Sequence, residues 1–325
     1  MRLSSLLLTP LLIGFLISNA AAGTVLDRVK ARGVVRCGSV ERPGLAVLDS
    51  QGRWSGLEVD CCQAVSAAVL GSPDHTVYNR YKTPGDFDAV RNQQDDIYFL
   101  TGSEIVEQRL AGKVAPGPTV FVESLNVMAA AKSAARHVAD LCGESICFMI
   151  GSPAERSLNA YFYALHKNFF RRAFSEEGEM VDTYQVQNCR AIAGEITTLA
   201  SVRLDPGVNR LSGRILPEAL EAFPVMATTG TGDAQWSSLV AWTMYTLISS
   251  ERPDTRWYSG GAGAIPISAE ELGLDNGWQD RVLKAVGNYG DIFDRNLGKS
   301  SLLKIERGLN ANRVQGGLFL GPFLE

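Results

Sequence analysis

In LTGSEIVEQRLAG, residues 100–112, a single arginine, Arg109, stands just after Glu104 and Glu107. A guanidinium presents a rigid fork of donors that matches a carboxylate, so Arg109 is a candidate anchor for an anionic group. The competing reading is an ion pair with Glu104 or Glu107. In GSPAE, residues 151–155, Ser152, Pro153 and Glu155 have the spacing of a helix capping box with proline at the first helical position. Ser152 is then a cap as readily as a ligand donor. Signatures of covalent or cofactor chemistry are absent. GKSS at 298–301 ends like a phosphate loop, but Phe293 stands where that motif requires its first glycine. GGAGA at 260–264 lacks the dinucleotide pattern and reads as a loop. Neither GxSxG nor HExxH occurs. His75, His137 and His166 are scattered, and Cys37, Cys61, Cys62, Cys142, Cys147 and Cys189 form no CxxC pairs with downstream histidine, so no metal site is expected. No cofactor is implied.

The elements that would hold these groups alternate between short apolar runs and helical periodicity, which is the pattern of an α/β protein. GVVRCGSV (33–40), DDIYFL (95–100), ESICFMIG (144–151) and CRAIAG (189–194) read as buried strands. VDCCQAVSAAVLG (59–71) reads as a helix with Asp60 as N-cap and Gly71 as its stop. SPAERSLNAYFYALHK carries an apolar stripe of Leu158, Tyr161, Phe162 and Leu165, and EITTLASVRL turns helical after Gly194. TVFVESLNVMAA (119–130) is a long strand suited to run between two lobes, and FPVMATT (223–229) could return the chain to the first. WSSLVAWTMYTLISSE and WQDRVLKAVGNYGDIFDRNLG have helical spacing; in the former Trp236, Leu239, Val240, Thr243, Met244 and Leu247 share a face that reads as core. FFRRAF (169–174) reads as a solvated helix end.

A length of 325 residues with 46% hydrophobic residues is natural for two domains. A net charge of -4 leaves no basic footprint for nucleic acid. The start, MRLSSLLLTPLLIGFLISNAAAG, joins one arginine, an apolar stretch from Leu6 to Ile17 and the run Ala20, Ala21, Ala22, which is the pattern of a secretory signal cleaved after Ala22 or, alternatively, Ala20. That core is shorter than the roughly 20 apolar residues of a spanning helix, and no later segment approaches that length. The expected product is soluble and exported. Six cysteines in an exported chain suggest disulfides, whose connectivity these spacings do not settle.

VLDRVKARGVVRCGS, GRWSGLEVDCCQAVSAAVLG, VGNYGDIFDRNLG and ERGLNANRVQGGLFLGPF resemble the periplasmic amino-acid-binding proteins of bacterial ABC transporters, extracellular solute-binding protein family 3, in the branch that takes general L-amino acids. The resemblance covers nearly the whole chain after residue 22, and the block Leu274 to Phe323 is peculiar to that branch. It implies a type II periplasmic binding protein fold: two α/β lobes joined by two crossing strands, closing on a small-molecule ligand in the interlobe cleft. Lobe 1 would be residues 23–125 with 223–325, lobe 2 residues 126–222, and 1–22 the signal peptide. The implied partners are an ABC permease and its ATPase, the location is the periplasm, and the protein would be a monomer. The family's four cysteines match Cys37, Cys62, Cys147 and Cys189, which implies bridges Cys37 to Cys62 and Cys147 to Cys189, each adding roughly 3 to 4 kcal/mol. Cys61 and Cys142 are left as buried free thiols, with a third bridge across the lobes as the alternative.

At the ligand site the match is imperfect. Arg109 fits the family's carboxylate arginine, but Glu104 stands where a threonine belongs, with Ser103 beside it. The family's Gly-Thr-Thr turn becomes Gly151, Ser152, Pro153, and proline has no N–H to offer. Glu195, after Ala193 and Gly194, takes the place of an ammonium-binding aspartate; the competing reading is an exposed acid favoured by a helix dipole. Leu45 replaces an aromatic that packs on the ligand. The candidate ligand contacts are Arg109, Glu195, Glu104, Ser152, Leu45 and Ser103. These departures admit two rivals to amino-acid capture: an accessory binding protein with an altered or lost site, and a dehydratase using Glu104 and Glu195 across the cleft as acid and base.

Overall fold

The computed structural model describes residues 24–82, 84–204, 213–251 and 268–321. The signal sequence and GGAGA lie outside them. The described residues form a mixed α/β structure around one 10-stranded sheet, whose main path runs Thr76–Tyr81, Val35–Val40, Ile97–Thr101, Glu221–Gly230, Thr119–Ala129, Ala191–Glu195, Ser145–Met149 and Phe170–Phe174. The first three are parallel to one another, as are the last three. The two long strands between them pair antiparallel to each other, with Phe223 opposite Glu123. They are the crossing strands, and the parallel sets on either side belong to different lobes, each with its own core. Phe121, Trp236, Tyr289 and Phe293 lie in one large cluster. Val127, Ile146, Phe148, Leu158 and Phe162 lie in another.

The helix Leu57–Leu70 is buried on almost every side, which explains its lack of an amphipathic stripe. It ends at Gly71 in the left-handed conformation. Its N-cap is Gly56, not Asp60, which lies inside the first turn and accepts from Arg295 and Asn296. Gly56 is required twice over: its φ is 134°, and a Cβ there would come within 2.1 Å of the Leu45 carbonyl oxygen. The helix Ala234–Ser249 buries the whole face from Trp236 to Leu247. The expected long helix after it is two, Trp278–Val286 and Tyr289–Asn296, because Gly287 turns the chain and Asn288 caps the second. FFRRAF is not a helix end. Phe170–Phe174 pairs with Ser145–Met149 on one side only, as the edge strand, and this leaves its charged residues in water.

Both implied bridges form. Cys37–Cys62 pins a strand to the buried helix with Cα atoms 6.3 Å apart, and Cys147–Cys189 spans 5.9 Å in the other lobe. Cys61 is a buried free thiol, whereas Cys142 is free but exposed. Its exposure follows from its place just before the turn Gly143.

Candidate functional site

Ligands of open α/β sheets bind beyond the carboxyl ends of the parallel strands. Four groups stand there: Arg42 after Val35–Val40, Glu104 after Ile97–Thr101, Ser152 after Ser145–Met149, and Glu195 at the end of Ala191–Glu195. Arg42 opens a tight turn, in which the Leu45 and Ala46 N–H groups donate to its carbonyl and Gly44 supplies a positive φ. This turn tucks Leu45, fully buried, into the main core.

Arg42 is 6% exposed. Its Nη2 donates to Glu104 Oε1 at 2.5 Å, and its Nη1 lies 3.9 Å from Glu58 Oε1. Glu104 is the third residue of the short helix Gly102–Glu107 and completes a capping box with Thr101, whose N–H donates to Glu104 Oε2 at 2.8 Å. Glu58, in the first turn of the buried helix, is fully buried, with the Tyr78 hydroxyl 3.1 Å from its Oε2. Among the described residues neither Arg42 Nη1 nor Glu58 Oε1 has a hydrogen-bond partner.

Two more carboxylates stand near the crossing strands. Glu123, fully buried in Thr119–Ala129, accepts from Thr197 Oγ1 at 2.7 Å and from the Ser124 N–H at 3.1 Å. Glu195 opposes Leu125 in the adjoining strand, and so lies diagonal to Glu123. It occupies the N-cap position of Ile196–Val202, but its side chain accepts no cap hydrogen bond there. Burial pushes the Glu58 carboxyl up to about 7, against the pull of Arg42 and the hydroxyls of Ser39 and Tyr78. Burial, helped by the charge on Glu195, also pushes Glu123 up to about 7. Glu195 itself is raised, first by burial, with Arg42 opposing and Glu104 and Glu177 adding to the shift. Burial alone would lower the Arg42 pKa, but Glu104, Glu58, Glu195 and Glu123 together hold it raised and the guanidinium charged. One cation therefore serves four carboxylates.

The expected turn of lobe 2 is present. Ser152 caps Pro153–Ala164 by accepting from the Glu155 N–H at 3.2 Å. Glu155 Oε2 reaches past the cap to the Gly151 N–H at 2.7 Å, and its Oε1 pairs with Arg171. The Ser152 N–H donates to the Met149 carbonyl at 3.3 Å.

Arg109 stands apart. It is exposed and follows the helix Gly102–Glu107 in the left-handed conformation, φ 55°, a position glycine usually takes. Glu104 pairs with Arg42 instead. Ser103 is exposed beside it. Of the residues singled out in the sequence, Glu104, Ser152 and Glu195 lie at the carboxyl ends of the parallel strands, and Arg42, Glu58 and Glu123, which sequence reasoning did not single out, carry charge beside them. Glu123 did carry a signal, being the one charged residue in the apolar strand TVFVESLNVMAA. Among the described residues no group of three His, Cys, Asp or Glu side chains is arranged to hold a metal ion.

No protein-family model matches the chain. A general L-amino acid-binding periplasmic protein of Rhizobium johnstonii is 31% identical over 94% of this chain and 94% of its own. A glutamate/glutamine/aspartate/asparagine-binding protein of Rhodobacter capsulatus is 29% identical over 94% of this chain and 95% of its own. Among solved structures, a periplasmic binding protein of an ABC transporter from Brucella ovis, with glutathione bound, superposes with a TM-score of 0.74 at 29% identity, covering 92% of this chain and 98% of that one. These relatives are binding proteins, not enzymes.

Proposed function

We propose, from the premise that this chain belongs to the periplasmic amino-acid-binding proteins of ABC transporters, that it captures an amino acid or a related small amine-bearing solute between its lobes and presents it to a permease and its ATPase. One observation carries the reading beyond family membership: the buried charged cluster of Arg42, Glu58, Glu104, Glu123 and Glu195 gathers at the strand ends where the two lobes meet. Buried charge in such excess is costly to folding, and its retention fits a site that a solute completes. Closure follows from differential affinity: a solute that touches Arg42 or Glu104 on one side and Glu195 or Ser152 on the other binds the closed form better and shifts the population toward it.

In this reading lobe 1 comprises 23–125 and 223–325 and lobe 2 comprises 126–222. The separate cores support that division. Residues 1–22 direct export and are removed, and the protein works as a monomer. The broad nitrogenous solutes in the relatives' names, amino acids in two and glutathione in the third, set the range to screen. Thermal-shift screening of the twenty common amino acids and glutathione at millimolar concentration tests the proposal. A ligand at a hundred times its Kd stabilises by about 2.7 kcal/mol, a shift of several degrees. No rise in Tm with any of them would remove the transport reading and favour an accessory protein with a lost site.

A further inference from the structure

We propose that the solute carries net positive charge, its ammonium or guanidinium head held by Glu195 and Glu123, because the groups that would hold a solute carboxylate are already occupied by the chain's own acids. The inference rests on the solute-binding reading above and narrows it to a substrate class.

Three independent observations converge. In lobe 1, the buried Arg42 is engaged by Glu104 and faces Glu58, so a ligand carboxylate would have to displace a carboxylate held by a charge-assisted bond and a capping box. In lobe 2, the turn before Pro153–Ala164 has most of its donors taken, the Gly151 N–H by Glu155, the Ser152 N–H by Met149 and the Glu155 N–H by Ser152, while Pro153 has none, which leaves the Ala154 N–H alone for a carboxylate. On the crossing strands, Glu123 is bound only by a hydroxyl and a backbone N–H, and no basic side chain pairs with it or with Glu195 among the described residues. The charged groups that act on these two acids are Arg42, Glu104 and Glu177, and the one cation among them is already shared. At the site two buried polar atoms also lack hydrogen-bond partners among the described residues, the donor Arg42 Nη1 and the acceptor Glu58 Oε1, in side chains 7% and 0% exposed. A small group able both to donate and to accept would satisfy the two together, and a solute hydroxyl, amide or carried water fits that description. What the site lacks is therefore a cation, plus one neutral polar contact.

Glu104 becomes the specificity-determining residue in this account. It stands on the arginine in the manner of a ligand carboxylate and excludes competing anions. A cation arriving at Glu123 and Glu195 favours their ionised forms and so displaces protons into solution.

The test is titration calorimetry at pH 7 with L-arginine, L-lysine and putrescine against L-glutamine, L-glutamate and glutathione, each in phosphate and in Tris, whose different heats of ionisation reveal proton transfer. The account expects a basic solute to bind at least tenfold tighter than the others, with net proton release, and putrescine, which has no carboxylate to place, to bind tightest of the three. Glu195→Gln should weaken that binding roughly 30-fold or more, with Tm preserved because this side chain makes no cap bond. Glu104→Gln should raise affinity for L-glutamate by freeing Arg42. If a neutral or acidic solute binds tightest, or the basic one binds without proton release or is indifferent to Glu195→Gln, the inference fails while the solute-binding reading stands. If nothing in either set binds, both fail.

Discussion

Arg42→Met is the most informative perturbation of the fold, because methionine keeps an unbranched side chain while removing the charge between Glu58 and Glu104. Glu104 retains its bonds to Thr101, but Glu58 is left fully buried with only the hydroxyls of Tyr78 and Ser39 to offset its charge. Removing one member of a buried ion pair costs about 3 to 5 kcal/mol when the other stays charged. Glu58 has a way out of that cost. Its folded pKa is already raised from 4.5 to about 7, so its ionisation opposes folding, and stability rises as pH falls from 7 toward 4.5. In the native protein that shift corresponds to roughly 3 kcal/mol between the two ends of the window. Without the guanidinium the carboxyl is raised further, and the variant recovers as the proton is taken up. Guanidinium chloride unfolding followed by tryptophan fluorescence at pH 5, 6.5 and 8 should show a deficit about 1.4 kcal/mol larger at pH 8 than at pH 5, the most that a carboxyl of folded pKa about 7 loses before it takes up a proton, and the deficit should shrink steadily toward pH 5. A deficit below about 1 kcal/mol at pH 8, or one of equal size at every pH, would refute the placement of Arg42 as counter-ion to Glu58.

Other consequences are simpler to read. Replacing Cys37 and Cys62 by serine should cost about 3 kcal/mol, and replacing Cys147 and Cys189 slightly more because the loop is 42 residues against 25, both seen as a fall in Tm. Asn310→Ala removes both side-chain bonds to the backbone of Val122, at 2.7 and 3.0 Å, and leaves a buried N–H and carbonyl on the crossing strand without partners. A loss of roughly 2 to 3 kcal/mol in denaturant unfolding is expected. Ser152→Ala should cost about 1 kcal/mol by uncapping Pro153–Ala164, and a solute affinity unchanged by that variant would show that Ser152 serves only as a cap.

Much of the fold was legible because strand and helix periodicities survive in short windows. The apolar run around Val120 and the face from Trp236 to Leu247 declare themselves without any tertiary knowledge. The misreadings arose where a partner distant in sequence decides the outcome. Asp60 looks like a cap until Arg295 and Asn296 are placed against it. FFRRAF takes its strand form from Ser145–Met149. Glu104 was singled out in the sequence, yet the arginine that pairs with it comes from the turn after the first strand, 62 residues away, instead of from the neighbouring Arg109. Local spacing suggested Arg109, but the left-handed exit from the helix leaves it exposed.

The central claim is capture of one small solute between the lobes. Calorimetric titration of the full-length mature protein with the solute giving the largest thermal shift measures this most directly. The account predicts saturable binding with one solute per chain. Heats no larger than dilution for every amino acid, diamine and peptide in the panel would contradict it.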